Sequence, residues 1–271
     1  MRSREELEQH YRIERELAER LRHADRAERA LLYGRVYDEL FQRVPLHPQL
    51  ARREDETARA LAVAERLALL QRFLRPETVF LEIGAGDSSL SRRVARSVKF
   101  CYALDVSREI LRTATDSNMR TILSDGCSIP VPPGSVTLAY SYQVMEHIHP
   151  DDAVEQLQNI FRALAPGGIY LCVTPSRLNG PHDVSRYFDS IASGFHLKEY
   201  TFTELAELFR RAGFRNATPY VGISHHYFSP PLPLLIAFEA FLERLPAGLR
   251  RRFGNVRGLR NLLFVSLAGR K

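Results

Sequence analysis

The stretch VFLEIGAGDSSLSRR, residues 79–93, decides how the chain is read. An apolar run ends at Ile83, passes through Gly84-Ala85-Gly86 and gives way to a helical pattern. Glycines between a strand and a helix let the backbone turn tightly and approach a ligand closely. The unpaired N–H groups of a helix starting near Ser88 favour a carboxylate or phosphate. A dinucleotide site asks for G-x-G-x-x-G, and Ser89 stands where its last glycine belongs. Glu82, just before the turn, repels a pyrophosphate and suits a cationic ligand.

Outward from this turn the pattern alternates. Short apolar runs predict strands at 78–83, 100–105, 120–123, 136–142, 168–174, 217–221 and 262–268. Helical spacing predicts helices at 88–97, 107–117, 151–165 and 202–212. Such alternation implies a mainly parallel sheet covered on both faces, with ligands beyond the carboxyl ends of its strands. Asp105 closes the second strand, where an acid accepts hydrogen bonds from a ribose. Upstream, residues 3–43 read as two helices rich in Arg, Glu, Leu and Ala. Pro45 and Pro48 exclude continuous helix there, and another amphipathic helix follows at 56–73.

Composition bounds the function. The 271 residues are 45% hydrophobic and 26% charged, within the globular range. Cys101, Cys127 and Cys172 are far apart and form no CxxC pair, so neither a zinc ribbon nor a disulfide framework is expected. The net charge of +6 is nearly all arginine, interleaved with glutamate near the start. Only Arg250, Arg251, Arg252, Arg257 and Arg260 cluster without acidic compensation, and no aromatics interleave with them for base stacking. Nucleic acid is not an expected partner. The charged N-terminus has no apolar signal region, and the longest apolar run, near 232–242, carries Glu239. A cytoplasmic location is expected.

Further motifs follow in order: YALDVS at 102–107, LSDGCSIPVPPGSVTLAYSYQVMEHI at 123–148, LAPGGIYLCVTP at 164–175 and TELAELFRRAGF at 203–214. Together with LEIGAG they resemble the class I S-adenosylmethionine-dependent methyltransferases, in particular the type 11 small-molecule group, over about 79–217. The resemblance implies an α/β, Rossmann-like fold with a mainly parallel seven-stranded sheet and an antiparallel last strand. Helices would cover both faces, preceded by an N-terminal helical extension or cap, 1–75. The methyltransferase domain would occupy 76–271, with a substrate loop at 175–200 and a helical insertion at 223–260. S-adenosyl-L-methionine is the implied cofactor. Glu82, Gly84, Ala85, Gly86 and Ser88 would surround its methionine moiety, and Asp105 with Val106 its ribose. Asp125, Gly126 and Cys127 would lie against adenine, and Gln143 beside the methyl channel. Ser88 replaces a frequent third glycine and is expected to cap the helix.

A small-molecule or lipid-like acceptor, methylated most readily on oxygen, is the expected substrate. No Asn/Asp-Pro-Pro-Tyr/Phe follows the fourth strand, which counts against nucleobase or amide nitrogen. His149 and His182 are the candidate bases, and Tyr142, Asp183, Arg186 and His196 the candidate substrate contacts. His225 and His226 could also roof the pocket. No ligand spacing supports a metal, so none is assigned. The segment 230–252 reads as a lid, a dimer contact or a peripheral membrane contact, in a monomer or homodimer. Two rival readings are a nicotinamide-dependent oxidoreductase and a non-catalytic adenosyl-binding scaffold.

Overall fold

The computed structural model describes residues 2–114, 116–223, 226–256 and 258–271, with only the backbone of Arg52 and Arg53. Two helices open the chain, α1 (Arg4–His23) and α2 (Arg26–Arg43). Each begins with a capping box, Ser3 with Glu6 and Asp25 with Glu28, which satisfies the free amides of its first turn. Pro48 does not end the helical region. It occupies the first position of α3 (Pro48–Glu54), where a missing N–H costs nothing. Helix α4 (Glu56–Leu70) follows, with Asp55 as its cap.

The alternating part comprises β1 (Val79–Ile83), α5 (Ser89–Ala95), β2 (Phe100–Asp105), β3 (Met119–Leu123), β4 (Val136–Tyr142), α6 (Ala153–Ala163) and β5 (Leu164–Thr174). Next come α7 (Phe202–Ala212) and β6 (Arg215–Pro219), then a small hairpin, β7 (Val221–Ile223) and β8 (His226–Phe228). Three helices, α8 (Leu232–Glu243), α9 (Ala247–Gly254) and α10 (Leu259–Leu262), lead to the final strand β9 (Val265–Arg270). The sheet order is β3-β2-β1-β4-β5-β9-β6. All neighbours are parallel except β9, which runs antiparallel between β5 and β6. The order reverses between β1 and β4, which is where an open sheet of this kind forms its crevice.

One apolar layer joins the sheet to α1, α2, α6 and α7, through Leu17, Leu21, Val36, Leu40, Leu157 and Phe209 among others. A second layer packs α4 and α5 on the opposite face through Leu69, Leu70, Leu90 and Val94. Leu17, Leu21 and Val36 have no exposed surface, so each contributes roughly 1.5–3 kcal/mol of burial. The first two helices therefore share a core with the sheet. In the late insertion α8 is docked on α7 by Glu239, which accepts from the amides of Phe202 (2.6 Å) and Thr203 (3.0 Å) and from the Thr203 hydroxyl. Leu234, Phe241, Leu249 and Phe253 stay exposed beside it. Among the described residues no helix is long and apolar enough to cross a membrane.

Three expectations are corrected. The described part of 107–117 is not helical. Asp38 of α2 accepts the Ser107 hydroxyl (2.6 Å) and the Glu109 amide (3.3 Å), holding this segment open as a wall. The strand expected at 217–221 breaks at Tyr220, whose amide bonds to Ser266, and the chain continues into the separate hairpin. Ser88 does not cap α5. It takes a left-handed conformation, φ 62°, and its buried hydroxyl has no partner among the described residues.

Candidate functional site

A cavity opens at the reversal of strand order. Its floor is Gly84, Ala85, Gly86 and Asp87 after β1, with Asp105, Val106 and Ser107 after β2 and Tyr142, Gln143 and Val144 after β4. Gly84 and Gly86 both have positive φ, 70° and 55°. A Cβ at Gly84 would lie 2.3 Å from a methyl of Val144, whereas one at Gly86 would point into open space. The first glycine therefore permits close packing, and the second keeps the floor bare. Asp105 accepts from the Gly86 amide at 2.7 Å and the Ser107 amide at 3.0 Å. Burial raises its pKa, against the pull of those amides. Gln143 adopts φ 55°, an uncommon conformation for a non-glycine residue, which turns the chain out of β4 along the cavity wall.

The roof comes from the N-terminal helices. Tyr33, Tyr37 and Phe41 follow one another at four-residue spacing on α2 and all line the cavity, with Arg59 and Arg66 of α4 beside them. Tyr33 is fixed from three sides. Its ring lies against Gly126, where a Cβ would come within 2.8 Å. Its oxygen donates to Asp152 and accepts from the His149 amide at 2.8 Å. Asp152 in turn holds the Arg29 guanidinium in a buried two-point pair. Burial raises the Tyr33 phenol far out of the physiological range. Arg66 sits over the Tyr142 ring, 4.9 Å from its centroid.

The remaining sequence candidates lie elsewhere. Side chains alternate along β1, so Ile83 faces the cavity and Glu82 faces α4 and α5. There Glu82 accepts from the Ser91 hydroxyl at 2.5 Å and lies 3.8 Å from Arg66, the residue that reaches the cavity in its place. Burial pushes Glu82 up to about 7. The Asp125 carboxylate turns its own loop by accepting from the amides of Cys127 (2.9 Å) and Ser128 (2.6 Å). Ser124 and Gly126 meet the cavity, while Cys127 is buried behind it.

Neither candidate base lines the cavity. His149 stands at the entry to α6, with Nδ1 facing the Asp151 amide at 3.3 Å. The His182 ring is tied to the Ser176 carbonyl (3.0 Å) and Asn179 (3.1 Å). Asp183 anchors its loop through the Ser185 hydroxyl and the Gly194 amide. Arg186 is exposed and lies over Tyr187. The whole loop is clasped by α1, through Tyr11 to Asp189 (2.5 Å) and Arg22 to the Gly194 carbonyl (3.1 Å). His226 is exposed on its hairpin, and His225 and Arg257 lie outside the described residues.

The imidazole that does line the cavity is His147. Its Nδ1 lies 2.9 Å from the Phe195 carbonyl, and its ring packs edge-on against Tyr37 and His196. Burial, reinforced by the charge of His196, lowers His147 to about 3. His196 is buried against Glu199 at 2.7 Å. Burial pulls it down, but that hydrogen bond and the charges of Glu146, Glu199 and Asp183 outweigh it and hold it at about 9.

The family described as "Methyltransferase domain" matches residues 81–172, the segment that carries the cavity floor. Over that segment the chain is similar to the class I S-adenosylmethionine-dependent methyltransferases. The Mycolicibacterium smegmatis protein named "Probable S-adenosylmethionine-dependent methyltransferase" is 29% identical over 136 residues, 49% of this chain and 51% of its own length. Demethylmenaquinone methyltransferase of Corynebacterium glutamicum is 30% identical over 98 residues, covering 35% of this chain and 40% of that protein. The chain spans about half the length, or less, of these curated relatives. Among solved structures, a methyltransferase from Archaeoglobus fulgidus is similar with a TM-score of 0.53 at 15% identity, covering 79% of this chain and 94% of that one. The phosphoethanolamine N-methyltransferase 2 of Haemonchus contortus, in complex with S-adenosyl-L-methionine, gives 0.52 at 19% identity, over 77% of this chain and 52% of that one. These two likenesses concern the methyltransferase fold alone. The roof of the cavity lies outside the matched 81–172.

Proposed function

We propose that this chain is an S-adenosylmethionine-dependent methyltransferase acting on a small-molecule or lipid-like acceptor, with oxygen as the methylated atom. The observation that carries the reading is the cavity at the β1/β4 switch, whose wall holds the Asp105 carboxylate beside the bare Gly86 turn. The donor set fits the cofactor. Asp105 keeps acceptor capacity for vicinal hydroxyls beyond its two amide bonds. Tyr33, Tyr37 and Phe41 supply aromatic surface for a purine, and Gly86 leaves room for close approach. When bound, S-adenosylmethionine would supply an activated methyl group, and the chain has to orient an acceptor towards it and, for a hydroxyl, let its proton leave to a base or to solvent. Tyr142, Gln143 and His147 are the groups at the strand-four end of the cavity placed to do so.

A non-catalytic adenosyl-binding protein is the second reading, favoured by the absence of both His149 and His182 from the cavity wall. The loop 175–200 remains the proposed acceptor side. The exposed Leu234, Phe241, Leu249 and Phe253 supply the apolar face that a lid, a homodimer or a membrane surface requires.

Calorimetric titration with S-adenosylhomocysteine, run beside NADH, tests the cofactor. Binding of the adenosyl ligand alone is expected, and Asp105→Ala should weaken it by about 5- to 150-fold, the 1–3 kcal/mol of a lost charge-assisted bond. Binding of NADH, or unchanged affinity in the variant, overturns the assignment. Methyl transfer to any member of a hydroxylated acceptor panel would separate enzyme from scaffold.

A further inference from the structure

We propose that Glu146, His147 and His196 form a binding site for one divalent cation of the zinc and cobalt class. A carboxylate oxygen of Glu146 and one ring nitrogen from each histidine all lie within 4.8 Å of one another. The carboxylate is 0% exposed. Its Oε2 accepts from the Thr174 hydroxyl at 2.9 Å, but its Oε1 has no partner among the described residues. A buried carboxylate oxygen left unsatisfied is costly, and native structures leave few of them.

The two rings are already held as metal ligands are held. His147 directs Nδ1 at the Phe195 carbonyl and His196 directs Nδ1 at the Glu199 carboxylate. An oxygen acceptor on Nδ1 fixes the tautomer and leaves Nε2 to ligate, the usual outer partner of a ligating histidine. Glu199 is itself oriented by the His182 amide at 2.7 Å. Two imidazoles and a carboxylate suit zinc, cobalt or iron better than magnesium or calcium, which prefer all-oxygen sets.

A second buried cluster, His10, Glu14 and His47, provides a contrast. There Glu14 already bonds His10 at 2.7 Å and the Phe195 amide at 3.3 Å. The other nitrogen of His10 faces the Arg2 guanidinium at 2.6 Å, a cation that opposes a metal. Only the first cluster combines an unsatisfied oxygen with outer acceptors.

Sequence spacing gave no hint of this site, because nearly fifty residues separate His147 from His196 and α1 and α2 bring the loop 175–200 back over β4. The site lies in the partition between two cavities. His147 lines the cavity at the strand switch, and His196 lines another, bordered by Arg177, Arg250 and Arg251. A cation there would be placed to polarise an acceptor oxygen, a role that rests on the methyl-transfer reading, whereas binding of the metal does not.

The test is titration of the chelator-treated full chain with cobalt(II) chloride and then zinc chloride, without cosubstrate or acceptor. One cobalt per chain is expected, with visible d–d absorption that zinc abolishes. Glu146→Gln and His196→Gln should each weaken binding by more than about 100-fold, and Glu199→Gln, which disturbs only the outer partner, by about 10- to 100-fold. His10→Gln and His149→Gln should leave it unchanged, and circular dichroism identifies any variant that fails to fold. The Glu199 variant carries the test if the ligand variants unfold. Failure of the folded parent to bind stoichiometrically, undiminished binding in folded Glu146→Gln and Glu199→Gln, or loss only in His10→Gln would each overturn the proposal. The titration contains no adenosyl ligand, so its failure would leave the methyltransferase reading untouched.

Discussion

Replacing Gly34 by alanine tests whether the roof is rigidly set on the floor. Gly34 sits in the middle of α2, between Tyr33 and the rest of the aromatic stripe, with no special backbone angle. On helix propensity alone, Gly34→Ala should stabilise by about 0.5–1 kcal/mol. The added Cβ, however, would lie 2.6 Å from the Val106 carbonyl oxygen, at least 0.4 Å inside the closest separation real Cβ atoms adopt. Overpacking of this kind costs about 1–3 kcal/mol. The neighbour is backbone and not a flexible side-chain end, so the upper part of that range applies. The net expectation is a loss of about 1–2 kcal/mol in urea unfolding. Val106, Tyr33 and Tyr37 all line the cavity, so S-adenosylhomocysteine should bind about tenfold more weakly. Gly248→Ala in α9, where a Cβ meets nothing within 4 Å, is the control and should be neutral or slightly stabilising. A Gly34 variant more stable than the parent, with unchanged ligand affinity, would refute the close seating of α2 on the loop after β2.

Three other outcomes follow from the same geometry. Arg29→Met should cost about 3–5 kcal/mol in chemical denaturation, because it strands the buried Asp152 carboxylate. Glu82 is raised from 4.5 to about 7, chiefly by burial, so over that interval the native state keeps a proton that the unfolded chain has lost. Its contribution to stability is complete below about pH 4.5 and disappears as pH rises through 7, a change of about 3 kcal/mol. Unfolding titrations from pH 4 to 8 should show this slope, and Glu82→Gln should reduce it, leaving the share of Glu146, which burial also raises to about 7. Arg186→Ala should change stability by less than about 0.5 kcal/mol, since the side chain is exposed; a larger loss in thermal unfolding would mean that it anchors the loop.

The sheet was legible because strand and helix periods are local properties. β2 and β4 fall on the residues that alternation predicts, and α7 begins at Phe202, behind a Thr201–Glu204 capping box visible in the sequence. The segment 107–117 has helical spacing but is not helical where described, because Asp38, nearly seventy residues earlier, captures the Ser107 hydroxyl and the Glu109 amide. Glu82 shows the limit for the site. Its charge is evident from the sequence, but which face of β1 it occupies depends on what packs there. The stripe at Tyr33, Tyr37 and Phe41 was detectable as an i, i+4, i+8 pattern, although nothing local says that it faces a ligand. His149 and His182 drew attention as polar residues near strand ends, and both prove to be held by backbone partners. His147, two residues before His149, lines the cavity instead.

The tie from Arg29 and Tyr33 to Asp152 has a consequence for how the molecule breathes. It links α2 to the start of α6, so the roof cannot lift without uncovering three buried polar groups, Arg29, Tyr33 and Asp152. Opening fluctuations that admit or release a bound adenosyl ligand must then proceed through the more exposed helices α3 and α4, or else through partial unfolding. A ligand that binds only the closed form lowers the population of both kinds of opening by the same mass-action factor. Amide hydrogen exchange in α2 should consequently slow on ligand binding along with that in β1, although the two elements lie some forty residues apart in the chain.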